Sequence, residues 1–507
     1  MSGVWGGAGC AGGAGACGSL ILVRSGPSRC LGSGVGGLYI VRGLSTPSTS
    51  LQGWEPGSWQ RMPRAQDVAY PDPKQLQRVV AQLAALPPLV TSWEIEKLRM
   101  MLADAEQGKR FVLQGGDCAE SFADCSPAQI ANKLKILLQM SMVIVHGLKK
   151  PVVRIGRMAG QYAKPRSSAS ETRLVGTGAS AREVTLPSYF GDLVNRPEFT
   201  GSSRTPDADL LLAGYFHAAM TINFVRSLVD GGFADLHHPE YWDLSFLRQA
   251  GLPASLRVEY EKMCANLADG LRFMEALGEK TVEDLTRVEF FTSHEGLSLW
   301  YESAQTRQVP RREGHYDLTT HLPWIGERTR QLDGAHVEFF RGVRNPVGVK
   351  VSANCTPAEL VELAQRLNPA NERGKIVFIA RMGASKVDAA LPRLLRAVKA
   401  LGLNGLWICD PMHGNTRATS AGLKTRNVED MLKELTSAHA IHLAEGVTLG
   451  GVHFELTGED VTECTGGAGG LTEQDLSTNY ASACDPRLNY HQALEMAFVL
   501  ARMGKGK

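Results

Sequence analysis

The stretch Phe111-Val-Leu-Gln-Gly-Gly-Asp-Cys-Ala-Glu120, followed by Ser126-Pro-Ala-Gln-Ile-Ala-Asn-Lys-Leu134, sets the pattern on which the fold is read. An apolar run too short for a helix closes on glycines, polar side chains follow, and a serine ahead of a first-turn proline opens a helix expected over 127–147. Outward from there the same order of buried strand, polar turn and helix recurs. Strands are expected over 111–114, 152–155, 233–236, 288–291, 336–340 (extending into 347–351), 375–379, 406–409 and 452–455, with helices over 357–367, 388–401 and 428–435. Such βα alternation predicts an α/β fold, a (β/α)8 TIM barrel, with a doubly wound open sheet as the alternative.

Upstream, residues 74–86 and 93–105 read as two helices broken by Pro87-Pro88, an N-terminal helical extension over 55–107. The catalytic barrel is expected over 108–507. Two of its intervals exceed ordinary loop lengths, so helical insertions are expected around 165–230 and 238–286.

The first 54 residues carry Arg24, Arg29 and Arg42 and no acid, amid Gly, Ser and Ala. That composition reads as a disordered leader resembling an organelle transit peptide, and the apolar run 20–23 is too short for a secretory signal. Gly7-Ala-Gly-Cys-Ala-Gly12 matches a dinucleotide fingerprint by letter, but no strand precedes it, so it is low complexity. The whole chain of 507 residues has 54 Lys and Arg against 52 Asp and Glu, a net +2 that offers no field for nucleic acid. Removing the leader takes three arginines, leaving 51 against 52, or −1. No unbroken apolar run approaches the roughly 20 residues of a membrane span. The 10 cysteines include no C-x-x-C pair, which argues against a disulfide framework or a zinc knuckle.

In a (β/α)8 barrel, chemistry sits at the C-terminal strand ends. Arg157, Lys164, Arg166, Lys350 and Arg381 all fall there, in segments otherwise apolar or glycine-rich. An ordinary paired surface charge is the competing reading for each alone, and it weakens when five recur at the same topological place; together they suit a ligand bearing phosphate and carboxylate groups. Cys118, His413, Glu455 and Asp485 are of metal-ligand type, and one thiolate, one imidazole and two carboxylates suit Mn²⁺, Co²⁺, Fe²⁺ or Zn²⁺.

Longer motifs carry a resemblance. Phe-Val-Leu-Gln-Gly-Gly-Asp-Cys-Ala-Glu-Ser-Phe (111–122), Gly-Gln-Tyr-Ala-Lys-Pro-Arg-Ser (160–167), Trp-Ile-Gly-Glu-Arg-Thr-Arg (324–330), Cys-Asp-Pro-Met-His-Gly-Asn-Thr (409–416), Thr-Glu-Cys (462–464) and Cys-Asp-Pro-Arg-Leu-Asn (484–489) are similar to those of the class II, plant-type 3-deoxy-D-arabino-heptulosonate 7-phosphate synthases. The resemblance runs in order from about 58 to about 503. It implies a (β/α)8 barrel with added helices and a transferase joining phosphoenolpyruvate to erythrose 4-phosphate, the first step of the shikimate route to chorismate and aromatic amino acids. It implies Cys118, His413, Glu455 and Asp485 around a divalent metal, with Mn²⁺ the first choice. Arg157, Trp324, Glu327, Lys350 and Arg381 would surround phosphoenolpyruvate, and Lys164, Arg166, Ser167 and Arg328 the erythrose 4-phosphate. Lys350 and Glu327 are the candidates for catalytic proton handling, with no choice made between them.

A homo-oligomer, dimer or tetramer, with aromatic amino acids as effectors is further implied. So is a plastid location, although Arg42 shortly before Ser45-Thr46 also suits mitochondrial processing, and the cytoplasm is a third possibility. One departure stands out: Ser352-Ala-Asn-Cys-Thr-Pro357 where the family pattern expects Gly-Pro-Asn-Cys-Thr-Pro. The competing readings are another phosphoenolpyruvate-dependent aldol synthase, and a non-catalytic regulatory partner of a shikimate enzyme.

Overall fold

The computed structural model describes residues 53–176, 181–231, 258–259, 262, 265 and 289–504. Eight strands close into a barrel in which every neighbouring pair is parallel. In chain order they are β1 (Phe111–Gly116), β2 (Val152–Arg157), β3 (Phe290–Glu295), β4 (Leu322–Ile325), β5 (Val347–Ser352), β6 (Ile376–Arg381), β7 (Leu406–Cys409) and β8 (Leu449–Glu455). The sheet closes where β8 pairs with β1, Glu455 opposite Gly116.

The expected strands at 111, 152, 375, 406 and 452 are present within a few residues of their predicted bounds. The fourth runs further than expected, to Glu295, so Ser293, His294 and Glu295 lie in the strand itself. Residues 336–340 are not a strand but part of a short helix, Ala335–Phe340, whose apolar side chains are buried. Periodicity cannot separate one buried helical turn from a buried strand. The extension at 347–351 is the true β5. A strand at Leu322-Pro-Trp-Ile was not anticipated, because Pro323 reads as a breaker; only its neighbours in the barrel make it a strand. The expected strand at 233–236, and nearly all of the insertion at 238–286, lie outside the described residues.

Helices α1 (Pro73–Ala85) and α2 (Ser92–Glu106) precede the barrel. Thr91 and Glu94 form a reciprocal capping box at the start of α2. Leu98, Met101, Leu102 and Ala105 of α2 pack with barrel residues including Val112, Val153, Leu322, Val377 and Ile408. Gly374 and Gly450 allow this approach, since a Cβ there would meet the carbonyl oxygens of Arg99 and Ala105 at 2.2 and 2.9 Å. That closes the N-terminal end of the barrel and leaves chemistry to the other end.

Helix α3 (Pro127–Leu148) is long and apolar enough to cross a membrane by length and composition, and 67% of the qualifying window is buried inside the protein. Its lysines and glutamines interrupt any continuous apolar run, which is why the sequence shows none. It packs against the C-terminal helix Tyr490–Met503 so closely that a Cβ on Gly147 would lie 2.3 Å from Ala501. The interval 165–230 carries an antiparallel hairpin (Ser170–Val175 with Arg182–Pro187) and a long helix, α4 (Asp209–Asp230).

Candidate active site

Gly116 lies opposite Arg157 in the β1–β2 pairing and opposite Glu455 in the β1–β8 pairing. A Cβ on Gly116 would lie 2.6 Å from the Arg157 carbonyl oxygen, so glycine lets β1 and β2 close here, and Arg157 Nη2 reaches Glu455 Oε1 at 2.9 Å. The other carboxylate oxygen takes a 2.6 Å bond from Arg426, a residue with no exposed surface. Burial opposes the charge on Glu455, but His413 in its protonated form, Lys164, Arg426 and Arg157 outweigh it and hold the carboxyl well below its ordinary range. Arg157 also donates from Nε to the Asp117 carbonyl at 3.1 Å and stacks over Trp324 at 5.1 Å.

Around Glu455 the metal-type residues converge. Donor atoms of Cys118, Glu455 and Asp485 all lie within 4.8 Å of one another. His413 stands at the edge of this group, Nε2 at 3.0 Å from Glu455 Oε1, while its Nδ1 is 2.8 Å from Asp410 Oδ2. Burial lowers the His413 pKa despite the neighbouring carboxylates, which favours the neutral imidazole that ligates metals. Burial also raises the Cys118 thiol, helped by the Cys484 hydrogen bond and Glu455 and opposed by Lys164. One thiol, one imidazole and two carboxylates side by side fit a divalent transition ion better than magnesium, so the donor set is compatible with the expected metal.

Lys164 was expected at the sugar phosphate. Its ammonium lies 2.8 Å from Cys118 Sγ and 3.0 Å from Asp485 Oδ2, within the metal-type cluster. Arg166 is near by, 3.9 Å from Cys484 Sγ, whereas Ser167 and Arg328 are exposed. Lys350 is buried and paired with Asp410; burial lowers its pKa to about 8, with Arg157 and Arg381 adding to the shift and Asp410 opposing it. Trp324 lies beneath both Arg157 and Lys350, the latter 5.9 Å from the ring centre. Arg381 donates to the His413 carbonyl at 2.8 Å, and Glu327 accepts from Arg330 at 3.0 Å and from Ser352 at 2.7 Å.

Several residues at the site carry no role in the sequence reading. Asp410 joins Lys350 to His413, and the signal for it was its place three residues ahead of the histidine. Glu295 is half-buried at the end of β3; desolvation raises its pKa against the pull of Lys164, Lys350, Arg157 and Arg328, and its Oε1 has no hydrogen-bond partner among the described residues. It follows a readable strand, which was signal enough. Arg426, and the pairing of Lys133, Asp117, Arg487 and Glu463 into one ion-pair chain, join different segments of the sequence, so only tertiary structure reveals them, although Asp117 directly follows β1.

The family profile described as the Class-II DAHP synthetase family matches residues 54–501. A phospho-2-dehydro-3-deoxyheptonate aldolase of Neurospora crassa is 46% identical over 465 residues, covering 89% of this chain and 94% of the relative. Proteins of the same name from Streptomyces coelicolor and Mycolicibacterium smegmatis are 45% and 43% identical, covering 88% and 85% of this chain and 96% and 90% of their own lengths. A barrel with these side chains at its C-terminal end, matched almost from end to end, belongs to the Class-II DAHP synthetase family.

Proposed function

We propose that the chain condenses phosphoenolpyruvate with erythrose 4-phosphate and water to give 3-deoxy-D-arabino-heptulosonate 7-phosphate and phosphate, the entry to the shikimate route. The observation that carries this reading is the juxtaposition of the Cys118–Glu455–Asp485 cluster with the cations Lys164, Arg157 and Lys350. Two anionic substrates repel each other, and buried cations neutralise both before carbon can approach carbon. A divalent ion held by Cys118, His413, Glu455 and Asp485, with Mn²⁺ favoured, supplies Lewis acidity toward the aldehyde oxygen.

C3 of phosphoenolpyruvate attacks the aldehyde carbon, the aldehyde oxygen gains a proton, water adds at C2, and phosphate leaves by C–O cleavage. Lys350, Arg381 and Arg157 hold the phosphoenolpyruvate charges over Trp324, with Glu327 alongside. Lys164, Arg166, Ser167 and Arg328 take the sugar phosphate. Lys350 is suited to moving protons because its pKa of about 8 lies near neutrality. Glu327 takes Arg330 and Ser352 on the same oxygen, Oε1, and keeps Oε2 without a hydrogen-bond partner among the described residues, as Glu295 keeps its Oε1, so both carboxyls stand beside Lys350 as candidates for that work.

The leader is proposed to direct import into an organelle, a plastid by the pathway, and the enzyme to act as a homo-oligomer subject to aromatic amino acids. The chain lacking residues 1–54 should consume phosphoenolpyruvate with erythrose 4-phosphate and not with arabinose 5-phosphate. Equal use of both sugars, or neither, would overturn the reading. Varying metal and aromatic amino acids in the same assay identifies the ion and any effector.

A further inference from the structure

Two residues beyond Cys118, the side chain of Glu120 turns away from the cluster and is buried, with 4% of its surface exposed. Its carboxylate accepts three backbone N–H groups, from Ala159 at 3.1 Å, Gly160 at 3.0 Å and Gln161 at 2.9 Å. Its own N–H donates to the Gln161 carbonyl at 2.8 Å. The loop it grips is unusual. Ala159 has φ +61° and Gly160 φ +153°, so a non-glycine residue is held in left-handed backbone. Glycine is required at 160, where a Cβ would lie 2.3 Å from the His294 ring.

Successive N–H groups turned to one side make an anion-binding concavity, and in this chain the anion is built in. Beyond the grip, the Gln161 side chain accepts the Glu295 N–H at 2.8 Å, and three residues later Lys164 reaches Cys118 Sγ at 2.8 Å. Glu120 therefore couples the β1 loop, which carries Cys118, to the β2 loop, which carries Lys164 and Arg166. Lys133 and Asp117, its charged neighbours, pair with each other.

We propose that Glu120 is a positioning residue that sets the spacing between the Cys118 metal-type cluster and the Lys164–Arg166 sugar-phosphate cations. This rests on the reaction proposed above. A glutamine at 120 keeps one acceptor oxygen and turns an N–H toward backbone donors, while alanine removes the grip altogether.

The test compares Glu120→Gln and Glu120→Ala with the parent enzyme in two assays. In steady-state kinetics, E120Q should raise KM for erythrose 4-phosphate about 10-fold and leave KM for phosphoenolpyruvate within about 2-fold, with E120A larger in the same order. In a Co²⁺ titration followed by the thiolate charge-transfer band, E120Q should weaken binding about 10-fold. Unchanged values, or equal changes in both KM values with unchanged Co²⁺ binding, would overturn the proposal. If the parent enzyme fails to turn over these substrates, the reaction reading fails, and the Co²⁺ titration still decides whether Glu120 positions Cys118. E120Q keeps the test valid should E120A not fold.

Discussion

The ammonium of Lys164 lies 2.8 Å from the sulfur of Cys118, so the cation expected at a substrate phosphate touches a residue expected at a metal. The two subsites share a wall. Cys118→Ser should therefore act on both: divalent-metal affinity falls at least ~100-fold and turnover is lost, while the thermal midpoint changes little. Metal content and melting curves check this. Full activity in a metal-depleted parent enzyme would remove the metal assignment.

Lys350 gives a pH dependence with a definite sign. Its folded pKa is about 8, lowered by burial, so it is cationic below that pH and neutral above it. KM for phosphoenolpyruvate should rise as pH climbs through about 8. Asp410→Asn removes the partner that most raises this pKa, so the onset moves to lower pH and kcat falls about 10- to 100-fold. A profile that does not move separates Lys350 from substrate charge.

Glu434, on the helix Val428–Glu445, accepts from the Met382 N–H and the Asn415 side chain, each at 2.7 Å, joining the loops after β6 and β7. Burial raises its pKa to about 7. The folded state keeps a proton that the unfolded chain releases near 4.5, so this contribution to stability is complete below that pH and is lost as pH rises to about 7. Glu434→Gln should flatten the slope, worth on the order of 3 kcal/mol, in melting curves taken between those limits.

Ser352, where the family pattern expects glycine, donates to Glu327 at 2.7 Å. Because Arg330 also holds that carboxylate, Ser352→Gly should change kcat by less than about 5-fold, whereas Glu327→Gln should lower it about 100-fold if the carboxylate handles a proton. Steady-state kinetics on the two variants separates support from chemistry.

Leu102 of α2 has no exposed surface and belongs to the plug at the N-terminal end of the barrel. Leu102→Ala should cost about 2–5 kcal/mol in denaturant unfolding. A cost below about 1 kcal/mol would mean that the plug is not an integral part of the core.

Strands such as Ile376–Arg381 and Leu406–Cys409 were legible because a buried parallel strand is a short apolar run ended by a turn. Leu322-Pro-Trp-Ile was not, since its pairing comes from β3 and β5 on either side, and His336–Phe340 was misread because one buried turn has no period to count. At the site the same division holds. Cys118, Glu455 and Asp485 could be named by ligand type and motif, but that their atoms lie within 4.8 Å is a property of barrel closure.

By itself, the sequence determined the βα alternation, the residue types at the strand ends and the family resemblance, because these depend on local periodicity and on side-chain chemistry. Only the tertiary structure decided which of those residues touch. Arg426 on Glu455, Lys350 on Asp410, and Glu120 beneath the Ala159–Gln161 turn are contacts between strands and loops well separated in the chain. They form because a closed barrel brings all its C-terminal strand ends to one mouth, where burial makes each charge find a partner.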